Sequence, residues 1–409
     1  MMGEHSDKGI RTIVRKYFVV FVLATTAFAY YYVIQDVLSQ ITSGSGITYF
    51  EKLLIMGAFY VSVGVSITVG AFLSGSFIRR EKLLYFWLSL SIGSLVLSII
   101  VDGAATMTIV MISWVWGISV GLGMPSSMAC FADTTTTEHR GSVGGVLAFV
   151  FIISLFALGV SLGTLAPVRR AQAFMVWLGF SLAVFLLFRQ KPSHVDEAQN
   201  PKLLSILRDR KIVLYLIPWI MFCLVNSLEA PILRNFFGTD FFNFSIVAEF
   251  TISGISALVG GFFADRVGRK LVAIVGFALL GVGYAVLGLL PGLEASWYLY
   301  VIVDGIAWGM FVVIFFIVLW GDLGGSMAKD KYYLVGGMPF LLSWLVQLVI
   351  EPYVESISIY AAFSLASFLL FLAVLPLLYA PETLPEKKIR ERELKGYIDK
   401  AKKVKEKYT

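Results

Sequence analysis

Glu249 and Asp304 are carboxyl groups set inside long apolar runs of this 409-residue chain, and they are its best candidates to bind and release a proton or a small cation. An ionised acid near the centre of a bilayer costs about 2.5 to 3.5 kcal/mol on insertion scales, so a membrane chain that keeps one there has a use for it. Counted at about 1.5 Å of rise per residue, Glu249 lies about 24 Å from Asp265 and Asp304 about 27 Å from Asp322, the charged ends of their runs. Both then fall in the outer third of a membrane-crossing segment. The same count places Asp36 and Glu229 at the outer rim, where they read as vestibule or gate residues. Neutral groups that could contact a solute are Thr25, Thr26, Tyr30, Tyr31, Trp116, Trp219, Asn226, Trp308, Trp344 and Gln347. From these, Tyr30, Trp219, Asn226, Trp308, Trp344 and Gln347 make up the candidate substrate set, because aromatic faces with a few amides suit a sugar or an amphipathic organic molecule.

A second kind of chemistry lies in Gly260 to Lys270, GGFFADRVGRK, which joins two apolar runs. Gly268 permits a tight turn, and Arg266, Arg269 and Lys270 hold the loop at the cytosolic surface. Asp265 is left to bind the positive N-terminus of another helix, an interaction of about 0.3 to 2 kcal/mol that suits a latch. Enzyme chemistry has no comparable support. The only cysteines are Cys130 and Cys223 and the only histidines His5, His139 and His194, a set without metal-ligand spacing. No nucleophile–base pair is evident, so neither an enzyme activity, a metal nor a cofactor is expected.

The elements that carry these residues follow from composition. Hydrophobic residues are 58% of the chain and charged residues 15%, against about 25% charged in soluble domains. A hydrocarbon core about 30 Å thick takes about 20 helical residues. Runs of that length lie near 17–40, 53–78, 83–101, 105–131, 143–166, 171–188, 212–234, 243–264, 271–290, 296–320, 332–353 and 357–379. They predict an all-α integral membrane protein with twelve transmembrane helices. The first run follows Lys8, Arg11, Arg15 and Lys16 and has no cleavage signature, so it reads as a retained helix. Threading the chain with its N-terminus inside leaves only Lys52, Arg169, Arg170 and Arg234 of the 33 Lys and Arg outside. The expected location is the cell membrane, multi-pass, with both termini cytoplasmic. The basic balance implies anionic lipid at the inner face as a partner and gives no reason to invoke nucleic acid.

The halves echo each other. Arg15-Lys16 matches Arg210-Lys211, Trp116-Gly117 matches Trp308-Gly309, and Asp133 with Val143-Gly144-Gly145 matches Asp322 with Val335-Gly336-Gly337. A shared offset near 190 residues points to duplication. The expected organisation is a six-helix bundle over 1–188, a cytosolic linker over 189–211 containing Pro192 and Pro201, a second six-helix bundle over 212–379, and a basic tail over 380–409. In the tail, Ile389, Leu394, Tyr397, Ile398, Ala401 and Val404 recur at the spacing of an amphipathic surface helix.

The Asp265–Lys270 loop resembles the signature loop of the major facilitator superfamily of secondary transporters, and Glu138-His-Arg-Gly141 resembles its second cytosolic signature. The resemblance implies two pseudo-symmetric six-helix bundles and a contact of Asp265 with the start of the fifth helix, near Glu138, Arg140, Gly141 and Ser142. It also places the outer ends of helices one and seven together, which makes Arg234 the expected gate partner of Asp36. Pro381-Glu382-Thr383 resembles the sugar-porter branch. The first half departs from the pattern: Gly75 stands at the acidic position and Ile78 at the second glycine, Ser113 replaces the fourth-helix arginine, and Thr164 replaces the proline after Gly159xxxGly163. The leading reading is proton-coupled uptake of a small solute, a sugar or organic acid, by alternating access. The alternatives are a proton-linked exporter of amphipathic or cationic compounds and a non-transporting sensor on a transporter fold.

Overall fold

The structure, a computed structural model, describes residues 2–44, 46–188, 200–385, 390, 391, 394 and 398. The linker core 189–199 and most of the expected tail helix, including Ile389, Tyr397, Ala401 and Val404, lie outside the described residues. Twelve helices among the described residues are long and apolar enough to cross a membrane: α1 (Val14–Thr42), α2 (Tyr49–Leu73), α3 (Arg80–Ile100), α4 (Thr106–Thr134), α5 (Arg140–Leu162), α6 (Pro167–Leu187), α7 (Arg210–Phe237), α8 (Thr239–Val267), α9 (Arg269–Leu289), α10 (Glu294–Gly324), α11 (Asp330–Val354) and α12 (Ile359–Tyr379). Lipid offers the backbone no hydrogen bonds, so each segment satisfies its amides internally as helix.

The helices form two pseudo-symmetric six-helix bundles. The repeated Trp-Gly pairs explain part of the symmetry. A Cβ on Gly117 would lie 2.6 Å from the Phe59 carbonyl oxygen, and one on Gly309 would lie 2.4 Å from that of Ser253. In each half a glycine therefore lets two helices meet backbone to backbone, α2 with α4 and α8 with α10. The halves touch along α5 against α8 and α2 against α11.

Three departures from the hydropathy reading matter for the site. The second helix stops at Leu73, short of 78, because Ser74–Ile78 closes a turn around Gly75, whose φ is +72°. The seventh continues to Phe237, one turn beyond its expected end. The tenth widens into a π-helical stretch at Val312–Val318, a distortion that recurs at functional sites. The connections 200–209, 265–270, 324–330 and 380–384 share one face of the molecule, called the linker face below.

Candidate functional site

At the linker face the two halves are tied by buried charge. Asp265, in the last turn of α8, accepts hydrogen bonds from the Gly141 amide (2.9 Å) and the Ser142 amide (2.6 Å), both free donors of the first turn of α5. Helix geometry leaves those amides unpaired, and a carboxylate there also meets the positive end of the helix dipole. Gly141 is what lets it in, since a Cβ there would lie 2.6 Å from the Asp265 carboxylate. Arg269 steadies the acid from 3.1 Å.

Beside this contact Asp322 joins Arg140 of the first half to Arg269 of the second, whose Nε donates to it at 3.0 Å. Arg140 and Arg269 also donate to main-chain carbonyls of Ala132, Thr135, Thr137 and Ala264, so their donors are largely used. Arg266 lies over the Phe262 ring at 3.7 Å. Lys270 caps the α12 end at the Leu378 and Ala380 carbonyls. Glu382 accepts from the Arg269 and Lys270 amides and so caps α9. Glu138, two residues before α5, is exposed.

The first half repeats this arrangement. Arg80 bonds Asp133 at 2.5 Å, and Lys329 bonds Asp133 at 2.5 Å. Arg80, Asp133 and Lys329 mirror Arg269, Asp322 and Arg140 at one offset of 189 residues (269 − 80, 322 − 133, 329 − 140). The acidic loop position that the first half lacks is made good from the other side. Asp330, at the start of α11, bonds Arg80 at 2.5 Å and accepts from Ser126 at 2.9 Å. It occupies the position equivalent to Gly141, so the acid sits on the helix rather than on the loop.

The opposite face is tied more lightly. Lys52 on α2 pairs with Glu351 on α11 at 2.6 Å, with both side chains partly exposed, and the Tyr49 hydroxyl donates to the Leu348 carbonyl at 2.5 Å. The expected Asp36–Arg234 pair does not form. Asp36 binds Arg170 at 2.7 Å within the first half, because α1 packs beside α6, and Arg234 is exposed. Glu229 is not a wetted vestibule group either: its face of α7 turns into the bundle, where it is 7% exposed and takes a hydrogen bond from the Tyr300 hydroxyl. There it comes within electrostatic reach of buried Asp304, and so does Glu249. A Cβ on Gly305 would lie 3.2 Å from the Glu249 carbonyl oxygen, so α8 and α10 meet at this level. None of the three acids forms an ion pair with a basic group among the described residues.

A cavity of about 60 Å³ lies between the halves, and ten of its eighteen lining residues are aromatic while none is charged. Its walls come from α1, α2, α4, α5, α10 and α11, with Tyr31, Trp308, Phe316 and Phe340 among its aromatic rings and the π-helical stretch along one side. Trp308 stands one helical turn from Asp304. Of the other expected contact residues, Tyr30 is spent inside the first half on Ser94 (2.9 Å) and Ser119 (2.7 Å). Trp219 is equally committed, donating to the Gly336 carbonyl at 2.7 Å and stacking on Phe315 at 4.9 Å. Trp116 donates to Ser94 and Thr26 bonds Ser181, so both are structural in this arrangement. Asn226 is half-buried on α7. Trp344 and Gln347 lie near the cavity on α11. Tyr60, Phe316, Phe340 and Asp330 carry no signal in the sequence, and Asp322 shows there only as a helix end and as the repeat partner of Asp133.

Comparison with known proteins identifies the scaffold. The family model described as Major Facilitator Superfamily matches residues 17–329. Among solved structures, the chain is similar to the proton:xylose symporter XylE bound to 6-bromo-6-deoxy-D-glucose, with a TM-score of 0.71 and 14% identity, covering 91% of this chain and 97% of that one. It is also similar to a bacterial homologue of the iron transporter ferroportin in an outward-facing state, with a TM-score of 0.69 and 12% identity, covering 90% of this chain and 98% of that one. At these identities the likeness is one of fold. No curated protein sequence matches the chain.

Proposed function

We propose, from the premise that this chain belongs to the Major Facilitator Superfamily, that it carries a small amphipathic organic solute across the cell membrane by alternating access, coupled to protons. The observation that carries the reading is the aromatic cavity between the halves, bounded by cross-half bonds at both faces. About 60 Å³ is room for a few waters and far less than the 300 Å³ or more of a ligand-sized pocket, so solute entry requires the halves to part. A lining without charge favours a largely apolar body over a free organic acid, whose carboxylate would be desolvated there without a partner.

Glu229, Glu249 and Asp304 are the coupling groups of this reading. Three acids without a basic partner in a membrane-spanning bundle are tolerable when protonated, and release of a proton would couple their charge to the motion of the halves. Clustered Arg79, Arg80, Arg140, Arg266, Arg269 and Lys270 support a cytoplasmic linker face, with anionic lipid beside it. Proteoliposomes enclosing a pH-sensitive dye test the coupling against a panel of neutral and cationic aromatic solutes. Solute entry should acidify or alkalinise the lumen. Glu249→Gln or Asp304→Asn should abolish that proton movement and pH-driven accumulation while keeping solute exchange. Accumulation with an unchanged pH profile in both variants would overturn the coupling assignment.

A further inference from the structure

Above the aromatic cavity, on the side away from the linker face, a second group of side chains converges from both halves. Tyr31 and Gln35 come from successive turns of α1, Tyr60 from α2, and Trp344 and Gln347 from successive turns of α11. Tyr60 and Trp344 stack at 6.4 Å and 14°, Tyr31 faces Phe340 at 6.4 Å, and Phe340 meets Trp344 at 6.0 Å. The Gln35 amide lies within hydrogen-bonding reach of the Tyr60 hydroxyl. Tyr31 and Phe340 also line the cavity, so the two zones are continuous.

What marks this group is its unused hydrogen-bonding capacity. The Tyr31 hydroxyl, the Gln35 Oε1, the Trp344 Nε1 and the Gln347 Oε1 are all shielded from solvent and have no hydrogen-bond partner among the described residues. Tyr31 itself is 1% exposed. A buried polar atom without a partner is destabilising because it has given up its water, and four at one inter-bundle seam is a concentration that a ligand would relieve. Four more such atoms, Thr25 Oγ1, Ser74 Oγ, Ser98 Oγ and the Tyr284 hydroxyl, lie apart from this group, one each on α1, after α2, on α3 and on α9, whereas Tyr30, the neighbour of Tyr31, bonds two serines.

We infer that this cluster is a head-group subsite for a neutral polyhydroxylated moiety, and that the transported solute joins such a head to an apolar body, as an aryl glycoside does. The inference rests on the proposed amphipathic carrier function. Two amide oxygens ask for donors, the indole N–H asks for an acceptor, and the tyrosine hydroxyl takes either. A carboxylate head supplies acceptors alone and would face the two amide oxygens. An ammonium head supplies donors alone and would leave Trp344 unpaired. A hydroxyl does both, and it still does so if either glutamine amide is turned over. The flat faces of Tyr60 and Trp344 suit the C–H face of a sugar ring, while Trp308, Phe316 and Phe340 receive the aglycone.

The test is calorimetric binding of phenyl β-D-glucoside to the full chain in phospholipid nanodiscs, which avoids glycoside detergents, with glucose, benzylamine and benzoate as comparators. Phenyl glucoside should bind at least tenfold tighter than any comparator. Gln35→Leu, Gln347→Leu and Trp344→Phe should each weaken it about tenfold or more, whereas Trp308→Ala should weaken every aromatic probe. Binding that depends on Trp308 but is indifferent to Gln35, Gln347 and Trp344, or that prefers benzylamine or benzoate, overturns the head-group subsite and leaves the cavity reading standing. If wild-type protein, folded by its melting profile, binds none of the aromatic probes, both readings fall.

Discussion

Replacing Asp265 by asparagine should release the linker face of the transporter without unfolding it. The carboxylate uses both oxygens, one for the Gly141 amide at 2.9 Å and one for the Ser142 amide at 2.6 Å. Asparagine keeps one acceptor and turns an N–H₂ group toward the other amide. The loss is one charge-assisted hydrogen bond, about 1.5 to 3 kcal/mol, together with the favourable meeting of an anion with a helix N-terminus, about 0.3 to 2 kcal/mol. Only the closed state makes these contacts, since parting of the halves returns all the groups to water. A net of about 2 kcal/mol shifts the ratio of states about 30-fold. A protein resting at about 1% open on this face would then be about a quarter open. Spin labels on Thr136→Cys and Met327→Cys, one on each half, in a background lacking Cys130 and Cys223, would show it as a new long-distance population. An unchanged distance distribution, in protein that melts where the wild type does, would reduce the Asp265 loop to a topological anchor.

Two further outcomes follow from the same geometry. Asp330→Asn should open the linker face in the same assay by a comparable factor, because it removes the charge and one of the two oxygens that hold Arg80 and Ser126 in place of the missing loop acid; a silent variant would show that Asp133 alone holds Arg80. Lys52→Ala should shift the population the other way, toward opening of the opposite face. Its partly exposed pair with Glu351 contributes only about 0 to 1 kcal/mol, so a change above about fivefold would indicate that the pair does more than a solvent-exposed bridge can.

Hydropathy made the twelve spans legible because in lipid every apolar run must become helix. That Asp265 would seek a helix N-terminus was legible from a carboxylate at a helix end, while the choice of the fifth helix came from the family resemblance. What the sequence withheld depends on which helix stands beside which. Asp36 and Arg234 carry matching charges, yet α1 lies against α6, so Arg170 reaches Asp36 first. Glu229 was expected in a wetted vestibule because a count along a helix gives height and not facing, and this acid faces inward to Tyr300. Tyr30 and Tyr31 are adjacent and alike in type, and only packing shows that one hydroxyl is used within a bundle while the other is idle at the seam. The π-helical stretch beside the cavity has no periodic signature from which it could have been read.

Alternating access requires the cavity to open in turn to the two sides, and the most direct measurement places a reporter in its wall. Gly337 lines the cavity, and a Cβ built there meets nothing within 4 Å, so Gly337→Cys in a background lacking Cys130 and Cys223 should fold normally. In sealed, oriented proteoliposomes a membrane-impermeant thiol reagent should modify this cysteine from either side. Asp265→Asn should speed modification from the linker face and slow it from the other. Modification from one side alone, whatever the state of Asp265, would contradict alternating access.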